Sequence, residues 1–158
     1  MINARTRSIL KGEKRLDLEA LIKLCEYDIV CITESWATPL IDDSELQIPG
    51  YTIYRKDRGT IRDARGGGVL IYINANYVSL INDSLNSFKC ETLWIKIITA
   101  MNGFVNLGVC YRSPNAAPEE VENLFMVIKE ASKHQAVTVG DFNFPGINWN
   151  TLEYNTVN

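Results

Sequence analysis

The 158 residues are 46% hydrophobic, enough for one domain with a real core, and the formal net charge is −3. That balance excludes a chain-wide attraction to nucleic acid, so any such contact has to come from local patches. No apolar run approaches a membrane span and no charged-then-apolar leader opens the chain; a single histidine and four cysteines without CxxC spacing argue against a zinc or His-based cluster.

Residues 1–4 read as a short strand, followed by a basic segment of Arg5, Arg7, Lys11, Lys14 and Arg15 opposed only by Glu13. Over residues 13–25, Leu18, Leu21, Ile22 and Cys25 fall at i, i+3, i+4 and i+7, which predicts an amphipathic helix. Asp28-Ile-Val-Cys-Ile-Thr-Glu34 is almost continuously apolar and predicts a strand buried on both faces. A helix joined to a strand by two residues points to an α/β fold. Residues 36–50 read as a loop punctuated by Pro39, Pro49 and Gly50, and Tyr51 to Arg55 alternates like a half-buried strand.

Between 55 and 65 the cations Arg55, Lys56, Arg58, Arg62 and Arg65 outnumber Asp57 and Asp63. They could contact a phosphate backbone or form a solvated loop. Gly66-Gly67-Gly68 fits neither GxGxxG nor the P-loop pattern, and a hairpin bend or bulge before a strand at Val69–Ile73 is the better reading. Further strands are expected at 91–98 and 104–111. Pro118 starts a second helix with Glu119 and Glu120 in its first turn, and Val121, Leu124, Phe125 and Ile128 form its apolar stripe. His134, at that helix's end, reads as a surface residue. The four cysteines, Cys25, Cys31, Cys90 and Cys110, read as reduced core residues of an intracellular protein, cytoplasmic or nuclear. Two packed sheets flanked by helices suit this order.

Val137-Thr-Val139 predicts a buried strand that Gly140 breaks, with Asp141 and Asn143 following two residues apart. In an extended chain that spacing points both side chains the same way, with Phe142 turned into packing. A carboxylate and a carboxamide at a strand end suit a hard cation such as Mg²⁺, although Gly-Asp-x-Asn is equally a turn with Asx hydrogen bonds. Glu34, closing the apolar strand, is either solvated or held by a partner or a metal. In Tyr111-Arg112-Ser113-Pro114, the tyrosine hydroxyl and the guanidinium can grip phosphate oxygens, or the segment is a strand ending in a proline turn.

Five blocks in this order together carry a resemblance: Asp28-Ile-Val-Cys-Ile-Thr-Glu34-Ser-Trp36, Ile48-Pro-Gly-Tyr51 with Tyr54-Arg-Lys-Asp-Arg58, Arg65-Gly-Gly-Gly-Val-Leu-Ile-Tyr72, Tyr111-Arg-Ser-Pro-Asn115, and Gly140-Asp-Phe-Asn-Phe-Pro145 running on to Ile147-Asn-Trp149. The chain resembles the endonuclease/exonuclease/phosphatase superfamily, and most of all the endonuclease domain of LINE-type (non-LTR) retrotransposons. The resemblance implies an α/β fold, a four-layer α/β/β/α sandwich of the DNase-I-like type, C-terminally truncated. It also implies Mg²⁺- or Mn²⁺-dependent nicking of DNA that leaves a free 3′-hydroxyl, with a fused or neighbouring reverse transcriptase as a partner and no membrane.

By the same resemblance, Glu34 is the metal-binding carboxylate and Tyr111 holds the scissile phosphate. Asp141 orients or deprotonates the attacking water, and Asn143 serves phosphate or metal. Arg112 is a substrate-binding candidate, and Asn3 matches the asparagine of the first family motif, with extra residues after it. The family carries a further Asp and a terminal Asp-His pair beyond Gly-Asp-x-Asn, whereas this chain ends at Asn158 and His134 precedes Asp141. The expectation is therefore one incomplete domain, its N-terminal portion, with impaired cleavage. The alternatives are a nucleic-acid-binding module without catalysis, a relic of a retroelement protein, or a phosphatase of the same superfamily.

Overall fold

The computed structural model describes residues 2–5, 14–58, 66–101, 103–148, 150–151 and 153–154. Its first sheet takes β1 (Ile2–Arg5), β2 (Ile29–Thr33), β3 (Tyr51–Lys56) and β4 (Val69–Asn74) in the order β1-β2-β4-β3. The second takes β5 (Ser79–Ile81), β6 (Thr92–Ile98), β7 (Phe104–Tyr111) and β8 (Ala136–Asp141) in sequence order. In each sheet one edge strand is parallel to its neighbour, β1 to β2 and β8 to β7, and the remaining pairs are antiparallel. Helices α1 (Lys14–Cys25) and α4 (Pro118–Ala131) cover the outer faces. Single-turn helices α2 (Asp43–Leu46) and α3 (Asp83–Asn86) sit in connections, and β9 (Ile147–Asn148) pairs antiparallel with β10 (Glu153–Tyr154).

Side-chain alternation along the strands produces the four layers. Val30 and Ile32 of β2 turn toward Leu18 and Ile22 of α1, while Cys31 between them joins Ile71, Ile95, Leu107 and Val109 in the core between the sheets. On the far side, Trp94 and Cys110 turn outward to Leu124, Val127 and Ala131 of α4. A strand with a helix on one face and a sheet on the other has no polar face. This is why β2 reads as an unbroken apolar run. Trp94 fits because β7 carries glycine opposite it: a Cβ on Gly108 would lie 2.4 Å from the indole.

Several expectations change in detail. The α1 stripe is narrower than predicted: Leu18 and Ile22 are buried, but Leu21 is 39% exposed and Cys25 lies on the surface. In α4 the buried positions are Leu124, Val127 and Ala131, so Phe125, 56% exposed, leaves the predicted stripe. It stacks on Phe144 at 5.8 Å instead. The 36–50 loop contains α2, capped by Asp42, whose side chain accepts the Ser44 N–H at 2.8 Å.

Gly140 does not break its strand. β8 runs through it to Asp141, with Gly140 paired to Cys110 at φ +148°. Cys31, Cys90 and Cys110 are buried thiols, and burial pushes Cys31 up to about 12. No helix among the described residues is long and apolar enough to cross a membrane.

Candidate active site

β2, β7 and β8 end at one rim. β2 lies against β7 and β8 across the sandwich, and the parallel register pairs Tyr111 with Asp141. Glu34 follows directly on β2, so the topology gathers Glu34, Tyr111 and Asp141 although they are far apart in sequence. Glu34 is 8% exposed, and its Oε1 accepts the Tyr111 hydroxyl at 3.0 Å. Burial, and next the hydrogen bond to Glu34 with that carboxylate's charge, push the Tyr111 phenol above its ordinary range, so it remains an O–H donor through neutral pH. Tyr111→Phe would leave Glu34 Oε1 without this donor. We expect a loss of about 1–3 kcal/mol, read from the urea midpoint. An unchanged midpoint would mean that the bond is not made.

Asn143 is reached differently from the extended-strand expectation. It lies beyond β8 with φ +47°, so the two-residue spacing does not carry its side chain alongside that of Asp141 by alternation. Instead, Asp141 Oδ1 accepts the Asn143 N–H at 3.3 Å, the Asx geometry weighed above. The Asn143 amide donates to the Arg112 carbonyl at 2.7 Å, and Arg112 Nη1 donates back to the Asn143 carbonyl at 2.7 Å. The Arg112 N–H continues the ladder to the Asp141 carbonyl at 2.9 Å, and its guanidinium lies 4.3 Å over the Phe144 ring. Arg112 thereby staples the loop that presents Asp141 and Asn143. Phe142 packs against the Trp94–Leu124 cluster, as its alternation predicts.

Glu34, Trp36 and Asn143 all have left-handed backbone angles, φ +56°, +58° and +47°. Such angles are uncommon outside glycine, although Asn adopts them readily, and Glu26 between α1 and β2 shares them at φ +48°. They fix the local path of the chain and do not by themselves mark a site.

The oxygens gathered at the rim are the two carboxylates of Glu34 and Asp141, whereas the Asn143 amide is turned to the Arg112 carbonyl. This set fits a hard divalent cation, and the buried Glu34 carboxylate suits one because burial penalises uncompensated charge. No group of three His, Cys, Asp or Glu side chains with metal-holding geometry occurs among the described residues. Two carboxylates are enough for an ion of the Mg²⁺ type, which keeps several waters and takes further oxygens from phosphate.

The remaining expectations divide. Asn3 lies in β1 opposite Cys31, and its side chain is outside the described residues, as are Arg62, Asp63, Arg65 and Trp149. The described cations of the 55–65 segment have internal partners. Arg55 pairs with Asp43 and Asp57, Arg58 with Glu91, and Lys56 Nζ donates to the Cys90 carbonyl at 3.1 Å. His134, exposed and 5.2 Å from the Phe104 ring, is remote from the rim strands' ends. Sequence reasoning passed over Glu91, which has no periodic or motif context, and Phe144. The long connections to Gly68 and Arg58 that single out Glu91 exist only in three dimensions.

The profile of the Endonuclease/Exonuclease/phosphatase family matches residues 3–156. No curated protein matches. Among solved structures, the endonuclease domain of TRAS1, a telomere-specific non-LTR retrotransposon, is similar at TM-score 0.61 and 14% identity over 89% of this chain and 58% of its own. AP endonuclease LMAP from Leishmania major is similar at TM-score 0.65 and 13% identity, over 88% of this chain and 53% of its own. The 3′ phosphatase NExo from Neisseria, bound to a product DNA hairpin, is similar at TM-score 0.62 and 16% identity, over 91% of this chain and 57% of its own. The chain thus spans a little over half the length of these structures. At such identities the likeness shows the fold: the α/β/β/α sandwich expected from the sequence.

Proposed function

Because the chain belongs to the endonuclease/exonuclease/phosphatase family, we propose that it carries the N-terminal part of a divalent-metal-dependent phosphodiesterase site that nicks DNA, of the retrotransposon endonuclease kind. The single observation that supports this reading most is the 3.0 Å bond between Glu34 and Tyr111, set across the sandwich from the strand end that carries Asp141.

In this reading Glu34 and Asp141 are the metal-side carboxylates, with Asn143 on metal or phosphate and the Tyr111 hydroxyl donating to a phosphate oxygen. A bound Mg²⁺ or Mn²⁺ would supply charge neutralisation for the phosphate as it becomes pentacovalent. Asp141 would accept a proton from the attacking water, or align that water opposite the bond from phosphorus to the 3′ oxygen. The water oxygen bonds to phosphorus as that bond breaks, and the leaving 3′ oxygen takes a proton from solvent. The Tyr111 hydroxyl has one proton, so on phosphate binding it would turn from Glu34 Oε1 to a phosphate oxygen and leave that carboxylate oxygen open. The ring is already buried, so little side-chain freedom is lost. Arg112 holds the Asp141–Phe144 loop in register, and Asn3 at the start of the first sheet is a further substrate-binding candidate. DNA is the substrate class, and a fused or neighbouring reverse transcriptase would use the nick as a primer end.

The experiment is nicking of supercoiled plasmid by the full chain in Mg²⁺ or Mn²⁺. We expect open circles that do not form in EDTA and that decline as salt rises. Absence of metal-dependent nicking contradicts the reading. Salt-dependent retention of DNA without nicking would instead favour a binding module, consistent with a chain that spans 53–58% of the neighbouring structures. Release of inorganic phosphate from a 3′-phosphorylated end, without nicking, would favour phosphatase activity.

A further inference from the structure

The glycine run at 66–68 and the cation Arg58 have no part in the site as described, and one carboxylate joins them. Glu91 lies just before β6. Its Oε1 accepts the Gly68 backbone N–H, and its Oε2 accepts from Arg58 Nε at 2.9 Å and Nη2 at 2.6 Å. Its own carbonyl accepts the Tyr111 N–H at 2.9 Å. Glu91 therefore bonds to the turn that leads into the first sheet and to the site strand of the second.

Two short paths lead from it to the Glu34–Tyr111 pair. Along one, the Gly68 and Gly67 carbonyls accept the N–H groups of Ser35 at 3.1 Å and Trp36 at 2.9 Å, the two residues that follow Glu34. Along the other, the Arg58 guanidinium lies over the Tyr111 ring, 5.4 Å from its centroid. The glycines are demanded by these contacts as well as by their φ of +76° and +79°. A Cβ on Gly67 would fall 2.3 Å from Arg58 Nε and 2.5 Å from Glu91 Oε1, and one on Gly68 would fall 2.5 Å from Ser35 Oγ. The Glu91 and Arg58 side chains are only 9% and 26% exposed, so this is not a loose surface pair.

We propose that Glu91 is a positioning residue of the hydrolytic site: through Arg58 and the Gly67–Gly68 turn it fixes the Tyr111 ring and the backbone after Glu34 without touching substrate. The catalytic consequence rests on the phosphodiesterase reading, whereas the geometric part rests on these contacts alone. A part-buried ion pair with no role beyond stability is the competing account, because such pairs often merely break even against their desolvation.

The test uses the full chain labelled with ¹³C-tyrosine, the Tyr111 ring signals being assigned by their loss in Tyr111→Phe. Glu91→Gln keeps the shape and one acceptor but removes the charge that holds Arg58. Expected is a shift of the Tyr111 ring signals in Glu91→Gln and in Arg58→Gln, with the double variant no further displaced than the single ones. In single-turnover nicking at saturating plasmid, the Glu91→Gln rate should fall about tenfold or more while the half-saturating DNA concentration holds.

Tyr111 signals that stay in place in a folded Glu91→Gln protein overturn the proposal, as does full additivity of the two substitutions. Should Glu91→Gln fail to fold, Arg58→Gln decides alone: unmoved Tyr111 signals overturn the proposal. If the parent chain does not nick, the phosphodiesterase reading fails, and the ring signals still decide the positioning claim.

Discussion

Replacing Asp141 with alanine is expected to lower the metal-dependent nicking rate by about 10²–10⁴-fold, the range for removing a general base from a positioned site. The fold should survive. Asp141 is the last residue of β8, its carbonyl bond to the Arg112 N–H does not need the side chain, and the Arg112–Asn143 staple passes through main-chain oxygens on both sides. Among the described residues the side-chain bond given up is the one from the Asn143 N–H, worth about 1 kcal/mol. The variant should therefore melt close to the parent while losing cleavage. A nicking rate unaffected by the change would place the chemistry elsewhere.

Gly140→Ala is expected to have the largest effect on stability. Gly140 lies at φ +148°, and a Cβ there would fall 1.8 Å from the Cys110 carbonyl oxygen and within 3 Å of its carbonyl carbon and amide nitrogen. All three are backbone atoms of the paired strand, so no rotamer change relieves the contact, and β8 would have to leave β7 at that step. We expect a loss of about 4 kcal/mol or more, of the kind tied to strain at a special backbone conformation. Domains hold only about 5–15 kcal/mol in total, so most of the chain would lose its cooperative urea transition. A midpoint shift no larger than that of a typical surface substitution would show that the strand does not pass Cys110 this closely.

Gly140 also illustrates where sequence reasoning loses its grip. A glycine after three β-branched residues reads as a breaker, because the local signal is conformational freedom. The structure uses it for close approach between two backbones, a fact held by Cys110, thirty residues away. Phe125 is a similar case. Its spacing with Val121, Leu124 and Ile128 fits a buried stripe, yet Phe144 draws it out of the core, because an aromatic partner on a loop has no periodicity to betray it.

By contrast, β2 and β7 were legible almost to the residue. Both are central strands with apolar neighbours on two faces, so their composition records their position. The ends of those strands were legible too, and Glu34 and Tyr111 stand there. Their mutual hydrogen bond spans 77 residues and no local pattern contains it. The site's candidate members could thus be picked from strand ends and motif blocks, whereas Glu91 could not. Its importance comes from bonding to Gly68, Arg58 and the Tyr111 backbone together.

The central claim is that Glu34 and Asp141 serve one divalent ion at the shared rim of the two sheets. Adding Mn²⁺ to the ¹⁵N-labelled full chain tests this without any substrate, because the paramagnetic ion broadens the signals nearest to it. The account predicts that residues 33–36 and 140–143 broaden together at the lowest Mn²⁺ concentrations, and that either Glu34→Gln or Asp141→Asn weakens the broadening of both groups. Broadening confined to one group, or unaltered by either substitution, would contradict it.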